Sequence, residues 1–389
     1  MTQTKTDVLV IGLGAVGAAA LYQLAARGID VIGIDQYTPP HSYGSSHGET
    51  RMTRLAVAEG EQYFPIVQRS HAIWKSLEQR YKRPLLLESG LLIISENIAN
   101  SSHHGVQNFT GETIRIARKF SIPHETLDSF ELSRRYPQFS VGINNFGYYE
   151  KSGGILFPED CIRSQLQLSE HLGATVRTNE PVLEIKKGTK GIQVRTVFGL
   201  YRASRVVVAT GPWTPQLLGS RLERIFRVYR QVTYRFESHH PADYSPARCP
   251  AYIWIHGHGP SELFYGFPAL AGSTAVKVAT EQFETETSPQ RVKRSVNASE
   301  IRAMYTQHLM GRVRELGPKC VDATVCLYSV TPDFGFIIDE LDDIPGAILA
   351  SACSGHGFKH SAALGESIAQ RIFSGYTDID LSPFSLSRF

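Results

Sequence analysis

The first forty residues alternate between short apolar runs and one alanine-rich segment. Asp7–Ile11 is an apolar run of the kind that forms a buried parallel strand. Ala15–Ala26 is rich in alanine and leucine and predicts a helix, with Gly28 as its stop. Asp30–Ile34 is a second run, rich in β-branched residues. Together these segments predict a βαβ unit of the usual length, about 30 residues.

Beyond this unit the pattern switches repeatedly between helical and strand periods. Ile225–Ala279 stands apart, because its many aromatic residues alternate with polar ones and favour an antiparallel sheet. The other predicted elements are, in chain order, a helix with Pro65 in its first turn that continues to Tyr81, a strand over Leu85–Ser95 around Gly90, a loop over Glu96–Val106, a helix over Ser164–Leu172, strands near Val182–Ile185, Ile192–Val197 and Val206–Ala209, a helix over Ser299–Leu309, a strand over Ala347–Ala352 and a helix over His360–Phe373.

Strand-and-helix patterns typical of nucleotide binding occur at the start, the middle and the end of the chain, and the sheet-like block lies between them. One discontinuous domain with an inserted second domain explains this order. We therefore predict an α/β (α+β) fold. Its nucleotide-binding domain comprises residues 1–85, 150–215 and 325–389, and its antiparallel-sheet substrate domain comprises 86–149 and 216–324.

Composition narrows the class of protein. Of the 389 residues, 42% are hydrophobic and 20% are charged, as in ordinary globular proteins, and the length suits two intertwined domains. A net charge of +3 without a basic block argues against nucleic-acid and membrane partners. No apolar run is long enough to span a bilayer, and the N-terminus lacks the features of a signal peptide. We expect a cytoplasmic protein.

The cysteines are few and odd in number, and they include no CxxC pair. They are Cys161, Cys249, Cys320, Cys326 and Cys353. This distribution predicts neither a disulfide framework nor a metal site, and it fits a reducing compartment.

Gly12, Gly14 and Gly17 form a GxGxxG motif between the first strand and the first helix. The first glycine permits a tight turn, the second lets the backbone approach a pyrophosphate, and the third lets helix and strand pack closely. Asp35 ends the second strand about twenty residues later, where its carboxylate can accept hydrogen bonds from ribose hydroxyls. The motif predicts a bound dinucleotide but does not distinguish FAD from NAD.

Two later segments favour FAD over NAD as the bound dinucleotide. Val206–Gly211 reads VVVATG and resembles the second nucleotide-contacting strand of FAD proteins with the glutathione reductase type of fold. Ser354–Lys359 reads SGHGFK and lies between a predicted strand and a predicted helix. Its backbone N–H groups and the helix dipole could stabilise negative charge on the pyrimidine of a flavin.

Taken with other motifs, these segments resemble the monomeric sarcosine oxidase and N-methyltryptophan oxidase family over nearly the whole chain. The further motifs are Pro39-Pro40-His41, the loop HGETRMTR over 47–54, Ala58-Glu59-Gly60, Tyr265-Gly266-Phe267-Pro268, Cys326-Leu327-Tyr328, Phe336-Ile337-Ile338-Asp339 and the tail Asp380-Leu381-Ser382-Pro383-Phe384, which is similar to that of the tryptophan-type members. The motifs are specific in combination.

The resemblance implies a Rossmann-like FAD-binding fold and one FAD per chain, bonded through the sulfur of Cys326 to the flavin 8α-methyl group. A thiolate is the nucleophile that such a bond requires. The cofactor-binding residues that we predict are Gly12, Gly14, Ala15, Val16, Gly17, Asp35, Gln36, Ser45, Ser46, Thr50, Arg51, Val182, Ala209, Gly211, Trp213, Cys326, Gly355, His356, Gly357, Phe358 and Lys359.

The resemblance also implies the roles of the reacting groups. Arg54 and Lys359 match the cations that hold the substrate carboxylate, a task that suits a bidentate arginine. Tyr265 and Tyr328 match aromatic residues on the substrate side. Lys277 matches the lysine proposed to activate oxygen, although a lysine between valines on a strand could instead face solvent.

Two further residues of the loop, His47 and Arg51, match positions close to the flavin face, where positive charge would favour the reduced, anionic flavin. The sequence departs from the family at Glu281, where a histidine is usual, and at Ser46, where the loop often has a second histidine. Glu281 would place a carboxylate on the substrate side and favour a substrate with an additional donor or positive group.

The resemblance and these matched residues together imply an oxidase of N-methyl or other secondary amino acids that releases an imine and hydrogen peroxide. We expect its partners to be the amino acid and oxygen, and we expect a monomer, with a weak dimer as the alternative. The competing interpretations are an oxidase or FAD dehydrogenase of a cyclic or sugar-modified amino acid, an NAD-dependent dehydrogenase, and a non-catalytic nucleotide-binding protein.

Overall fold

The computed structural model describes residues 3–96, 102–257, 259 and 261–389, without the side chains of 220 and 221. The helices are α1 (Ala15–Ala25), α2 (Tyr63–Tyr81), α3 (Phe109–Lys119), α4 (Ser129–Arg135), α5 (Pro158–His171), α6 (Thr214–Leu218), α7 (Ser220–Ile225), α8 (Ala298–Met304) and α9 (Ser361–Ser374). The strands are β1 (Gln3–Ile11), β2 (Val31–Ile34), β3 (Arg51–Thr53), β4 (Leu86–Leu87), β5 (Leu91–Ser95), β6 (Ser102–His103), β7 (Val106–Gln107), β8 (Glu125–Leu127), β9 (Phe146–Glu150), β10 (Gly154–Leu156), β11 (Thr175–Arg177), β12 (Val182–Lys187), β13 (Ile192–Thr196), β14 (Leu200–Val208), β15 (Arg227–Ser238), β16 (Ala251–Ile255), β17 (Leu263–Gly266), β18 (Ala275–Ala279), β19 (Leu316–Val330), β20 (Ile337–Glu340) and β21 (Ala347–Ser351).

The first large sheet confirms the βαβ prediction. It has the order β11-β2-β1-β14, with parallel pairing throughout, and the second half of β14 pairs in parallel with β21. The first half of β14 pairs with the β12–β13 hairpin, and β20 pairs with β21. Helices α1, α5 and α9 pack beside it, and its central strands are buried. Burial on both faces explains why these strands are continuous apolar runs.

The second large sheet confirms the antiparallel prediction for the middle of the chain. Its order is β19-β15-β18-β17-β16-β5-β9-β8, and the only parallel pair in that described order is β5 with β16. The long strands β15 and β19 pair along most of their length. Strands β17, β18 and β19 carry the predicted substrate-side residues Tyr265, Lys277 and Tyr328.

Three local predictions differ from the structure. The strand predicted over Leu85–Ser95 is two strands in different sheets, because the chain turns at Gly90 with a φ of 84°. The helix predicted over Ser299–Leu309 is α8 followed by a π-helical turn. Part of the predicted loop over Glu96–Val106 lies outside the described residues, and its remainder contributes to the β6–β7 hairpin. The domain boundaries stay predictions.

The described part of the chain contains no helix that combines the length and the apolar character needed to cross a membrane.

The contact between β1 and α1 yields a stability prediction. A Cβ at Gly17 would overlap with the carbonyl oxygen of Gly12, whereas a Cβ at Gly14 would meet only Ser46 Oγ, at 3.8 Å. Alanine gains about 1 kcal/mol over glycine inside a helix, but a backbone overlap of this kind costs about 1–3 kcal/mol or more. We therefore expect Gly17→Ala to lower the midpoint of thermal unfolding.

Gly142→Ala is the control, because a Cβ there would make only an ordinary contact, with Asn145 Oδ1 at 3.6 Å, and would lie away from the cleft. We expect it to unfold at the temperature of the unmodified chain. Equal unfolding temperatures for the two variants would contradict the packing argument.

Candidate dinucleotide and substrate site

A cavity of about 400 Å³ lies at the carboxyl ends of β1, β2, β14 and β21. Ligands of open α/β sheets bind at this edge. The predicted cofactor residues that line it are Gly12, Gly14, Ala15, Val16, Asp35, Gln36, Ser45, Ser46, Arg51, Val182, Ala209, Gly211, Trp213, Gly355, Gly357 and Phe358. Most of the predicted set is thus brought together in one cleft.

The chemistry of this cleft fits a dinucleotide. Asp35 is buried, and its two carboxylate oxygens accept hydrogen bonds from the backbone N–H groups of Leu13 and Tyr37, both at 2.8 Å. These bonds hold the carboxylate at the cleft with lone pairs left for ribose hydroxyls. Helix α1 begins at the cleft, where its N-terminus favours a phosphate group. The open space beside Gly14 leaves room for that group to approach the backbone.

A second cavity, of about 70 Å³, adjoins the first. Arg51, Tyr328, Gly355 and Phe358 line both cavities. The second cavity collects predicted residues from distant parts of the chain, namely Arg54, Tyr265, Lys277, Glu281, Cys326, His356 and Lys359. The remaining predicted residues, Gly17, His47 and Thr50, are in neither set of lining residues.

Lys277 is buried, and its side chain points towards the loop that contains Thr50. The alternative prediction, that this lysine faces solvent, is therefore wrong. Its Nζ donates to Gly48 O at 2.6 Å, to Thr50 O at 3.0 Å and to Thr50 Oγ1 at 2.9 Å. Burial, reinforced by Arg51 and Arg235, lowers the pKa of Lys277 well below its ordinary value. The three hydrogen bonds hold the amine in place, and the lowered pKa disfavours its charged form in this environment.

Cys326 is buried on β19 and lines the second cavity. Burial raises the pKa of its thiol, and the positive charges of Arg51 and Lys277 oppose that rise. Cys320 lies on the same strand, is half-buried and does not line either of these cavities. Among the described cysteines, Cys326 lines the second cavity and Cys353 lines the long cleft, so two thiols lie beside the site.

The two predicted carboxylate-binding cations already have partners. Arg54 donates through Nη2 to Glu59 at 2.9 Å and through Nε to Ala56 O at 3.1 Å. Lys359 Nζ donates to His356 O at 2.7 Å. Burial, reinforced by Arg54, lowers the pKa of Lys359 to about 7. A substrate carboxylate would therefore compete with Glu59 for Arg54.

Sequence reasoning missed the histidine at the centre of this network. His104 Nδ1 lies 2.9 Å from Glu59 Oε1, and its Nε2 lies 2.9 Å from Glu281 Oε2. Although burial would lower it, Glu281 and Glu59 raise the pKa of His104 to about 9. The adjacent His103 stacks on His104 with ring centroids 3.7 Å apart. The sequence offered only two adjacent histidines as a hint, in a segment with neither helical nor strand periodicity.

The comparisons with known proteins agree with this geometry. Residues 7–371 match the DAO family, described as FAD dependent oxidoreductase. The chain belongs to this family. It is also 33% identical to the monomeric sarcosine oxidase of Bacillus sp. (strain NS-129), over 99% of this chain and 97% of that protein. The N-methyl-L-tryptophan oxidase of Yersinia pestis (strain Pestoides F) is 32% identical, over 98% and 99%.

Solved structures show the same fold. The open form of NikD, an unusual amino acid oxidase essential for nikkomycin biosynthesis, aligns with a TM-score of 0.84 at 24% identity, over 98% of this chain and 97% of that chain. L-proline dehydrogenase from P. horikoshii aligns with a TM-score of 0.81 at 18% identity, over 100% and 98%. The predicted family resemblance and fold class are therefore confirmed.

As in other FAD dependent oxidoreductases, the cofactor is FAD, and the NAD-dependent alternative is not supported. The residues around the long cleft suit FAD, with the α1 N-terminus for its pyrophosphate and Asp35 for its ribose. The junction of the two cavities, at Arg51 and Tyr328, is where the ring system would meet the substrate cavity.

The lowered pKa of Lys359 predicts how this oxidoreductase binds small carboxylates as pH changes. Because Lys359 loses its proton as pH rises through about 7, the affinity for acetate should fall over that range. We expect Lys359→Met to remove this part of the pH profile, measured by titrating acetate and following flavin absorbance. Lys151→Met, at an exposed position, is the control. An unchanged profile in Lys359→Met would show that another group titrates there.

Proposed function

We propose that the protein oxidises a secondary amino acid, such as an N-methyl amino acid, with FAD and oxygen, and releases an imine and hydrogen peroxide. The observation that carries this proposal is the convergence of Arg54, Lys359, Lys277 and Cys326 in one cavity beside the dinucleotide cleft. The named activities of the sarcosine and N-methyl-L-tryptophan oxidases support it.

Arg54 and Lys359 would hold the substrate carboxylate and so fix the amine beside the junction of the cavities. Both cations are buried, and ionic contacts with buried groups orient a ligand strongly. Burial and the positive charges of Arg54 and Lys359 disfavour a positive charge on the substrate amine. The amine would therefore bind in its neutral form, without its extra proton. A neutral amine is the form that can lose a hydride equivalent. Bound FAD would supply the acceptor for these two electrons and the donor for the reduction of oxygen to hydrogen peroxide. The imine then hydrolyses in water, to formaldehyde if the N-methyl carbon was oxidised.

Lys277 would serve the step with oxygen. Its lowered pKa leaves the amine largely without its extra proton before that step, and its three hydrogen bonds hold its Nζ in position. Negative charge that develops on oxygen would raise this pKa and so favour the ammonium form. A positioned cation at that point stabilises the charge as it develops. Arg51 donates to the backbone oxygens of Thr50 and Ser45 and adds fixed positive charge at the junction.

We further propose that Cys326 carries FAD covalently, one per chain, and that the protein is a monomer. The position of Cys326 in the second cavity supports the covalent bond. Burial raises the pKa of its thiol, and the positive charge of Arg51 partly offsets that rise.

Oxygen consumption with a panel of secondary amino acids tests the activity. We expect peroxide to form with at least one of them. We also expect Arg54→Ala to raise KM about 10- to 100-fold, as is typical when a charged hydrogen bond is lost. Arg118→Ala, at an exposed position, should leave KM unchanged.

Turnover with a dye but not with oxygen would make the protein a dehydrogenase instead. An unchanged KM in Arg54→Ala would exclude the carboxylate role of Arg54.

The covalent bond has a separate test. We expect the yellow colour of the unmodified protein to remain with the polypeptide after acid precipitation, and Cys326→Ser to release its flavin to the supernatant. Cys320→Ser should behave like the unmodified protein, because that thiol lies away from the cavity. Flavin that stays bound in Cys326→Ser would mean that another residue forms the bond.

A further inference from the structure

Four buried side chains form a row of alternating charge along the second cavity. Arg54 contacts Glu59 at 2.9 Å, Glu59 contacts His104 at 2.9 Å, and His104 contacts Glu281 at 2.9 Å. Each of these side chains is no more than 5% exposed. Buried charges are tolerated only when they are paired in this manner. The row is therefore a single electrostatic unit that begins at the predicted carboxylate site.

The row is assembled from three separate parts of the fold. Glu59 follows β3, His104 lies in the β6–β7 hairpin, and Glu281 follows β18. His104 is 45 residues from Glu59 and 177 residues from Glu281 along the chain. At position 281 the sequence departs from the histidine expected by resemblance, and the structure supplies an imidazole to the same cavity from a different element.

The balance of charge explains what the imidazole does. The charge balance concerns the row together with Lys359, apart from Arg51 and Lys277, which bond to the loop over 45–50. Its cations are Arg54, Lys359 and His104, and its anions are Glu59 and Glu281. With all five groups charged, as they are below the pKa of Lys359 at about 7, one positive charge is left over, which matches one substrate carboxylate. If His104 were neutral, the negative charges of the two glutamates would cancel the positive charges of Arg54 and Lys359. Glu59 would then have only Arg54 as its close ionic partner.

We propose that His104 is a positioning residue for the substrate: as an imidazolium between Glu59 and Glu281, it balances both carboxylates and leaves Arg54 able to bind the substrate carboxylate. This inference rests on the proposed function of Arg54. The prediction that Glu281 favours a substrate with an additional donor or positive group stays a prediction, and this proposal offers His104 as a second partner for that carboxylate.

The groups around His104 favour its protonated form, the imidazolium. The titratable groups that face it are Glu59, Glu281, His103 of the same hairpin and His356 of the loop after β21. Burial lowers the pKa of His103 and of His356 to about 3, so both are neutral and do not compete for the proton. His104 is thus the imidazole of this cluster that is charged at neutral pH.

A metal ion is the rival occupant. Among the described residues, His103, His104 and Glu281 are the one group whose ligand atoms lie within 4.8 Å of one another. However, the two imidazole rings stack at an interplanar angle of 29°, so their in-plane lone pairs run nearly side by side and do not converge. Both nitrogens of His104 also already face carboxylate oxygens. The geometry favours a proton.

The test measures acetate affinity of the FAD-loaded protein by calorimetry, without turnover, so it can fail independently of the amine oxidation. At pH 6, where Lys359 keeps its proton, we expect His104→Gln to weaken acetate binding about tenfold or more, in line with the loss of a charged buried partner. The double variant His104→Gln with Glu281→Gln restores the charge balance, and we expect its affinity to return to within about threefold of the unmodified protein. His103→Gln removes the neutral neighbour and is the matched control.

A pH series separates this role from a merely structural one. Because the pKa of His104 is about 9, the unmodified protein should lose a further part of its acetate affinity above pH 9, and His104→Gln should lack that loss. In turnover, His104→Gln should raise KM with little change in kcat.

Three outcomes would overturn the proposal. They are unchanged acetate affinity in His104→Gln, a double variant that binds no better than the single one, and stoichiometric zinc in the purified protein whose removal by a chelator abolishes acetate binding.

Discussion

The buried ion pair between Arg54 and Glu59 is the constraint on which the rest of the substrate cavity depends. Two charges removed from water are costly unless each has a close partner of opposite sign. Glu59 therefore needs Arg54, and a substrate carboxylate that takes Arg54 must leave Glu59 with another partner. His104 is placed to be that partner, and Glu281 in turn holds His104. The substrate carboxylate would thus replace Glu59 as the partner of Arg54, while Glu59 stays paired with His104.

The fold makes this network possible by joining two sheets of different character. The parallel sheet ends in backbone turns that suit a dinucleotide, as seen at Gly12–Gly17 and Asp35. The antiparallel sheet contributes the short buried strand β18 and the buried end of the long strand β19, which carry Lys277 and Cys326 to the same cavity. The reacting groups would therefore lie on strands, which hold side chains more rigidly than loops do.

Local features of the fold and the cofactor cleft were predictable from sequence, because they depend on local patterns. The βαβ unit has its own apolar period and its own glycine spacing, and most of the predicted cofactor residues line the long cleft. The direction of Lys277 was not predictable, since every residue of β18 is buried and alternation along the strand carries no signal. The role of Glu59 and His104 was also hidden, because their contacts join segments far apart in the chain. Glu281 was recognised as unusual, but its partner lay in a segment without pattern.

A structure of the FAD-loaded protein with acetate bound tests the central claim most directly. The account predicts the acetate carboxylate on Arg54 and Lys359, with Glu59 moved away from Arg54 and still bonded to His104. A carboxylate bound elsewhere in the cavity, with the Arg54–Glu59 pair intact, would contradict it.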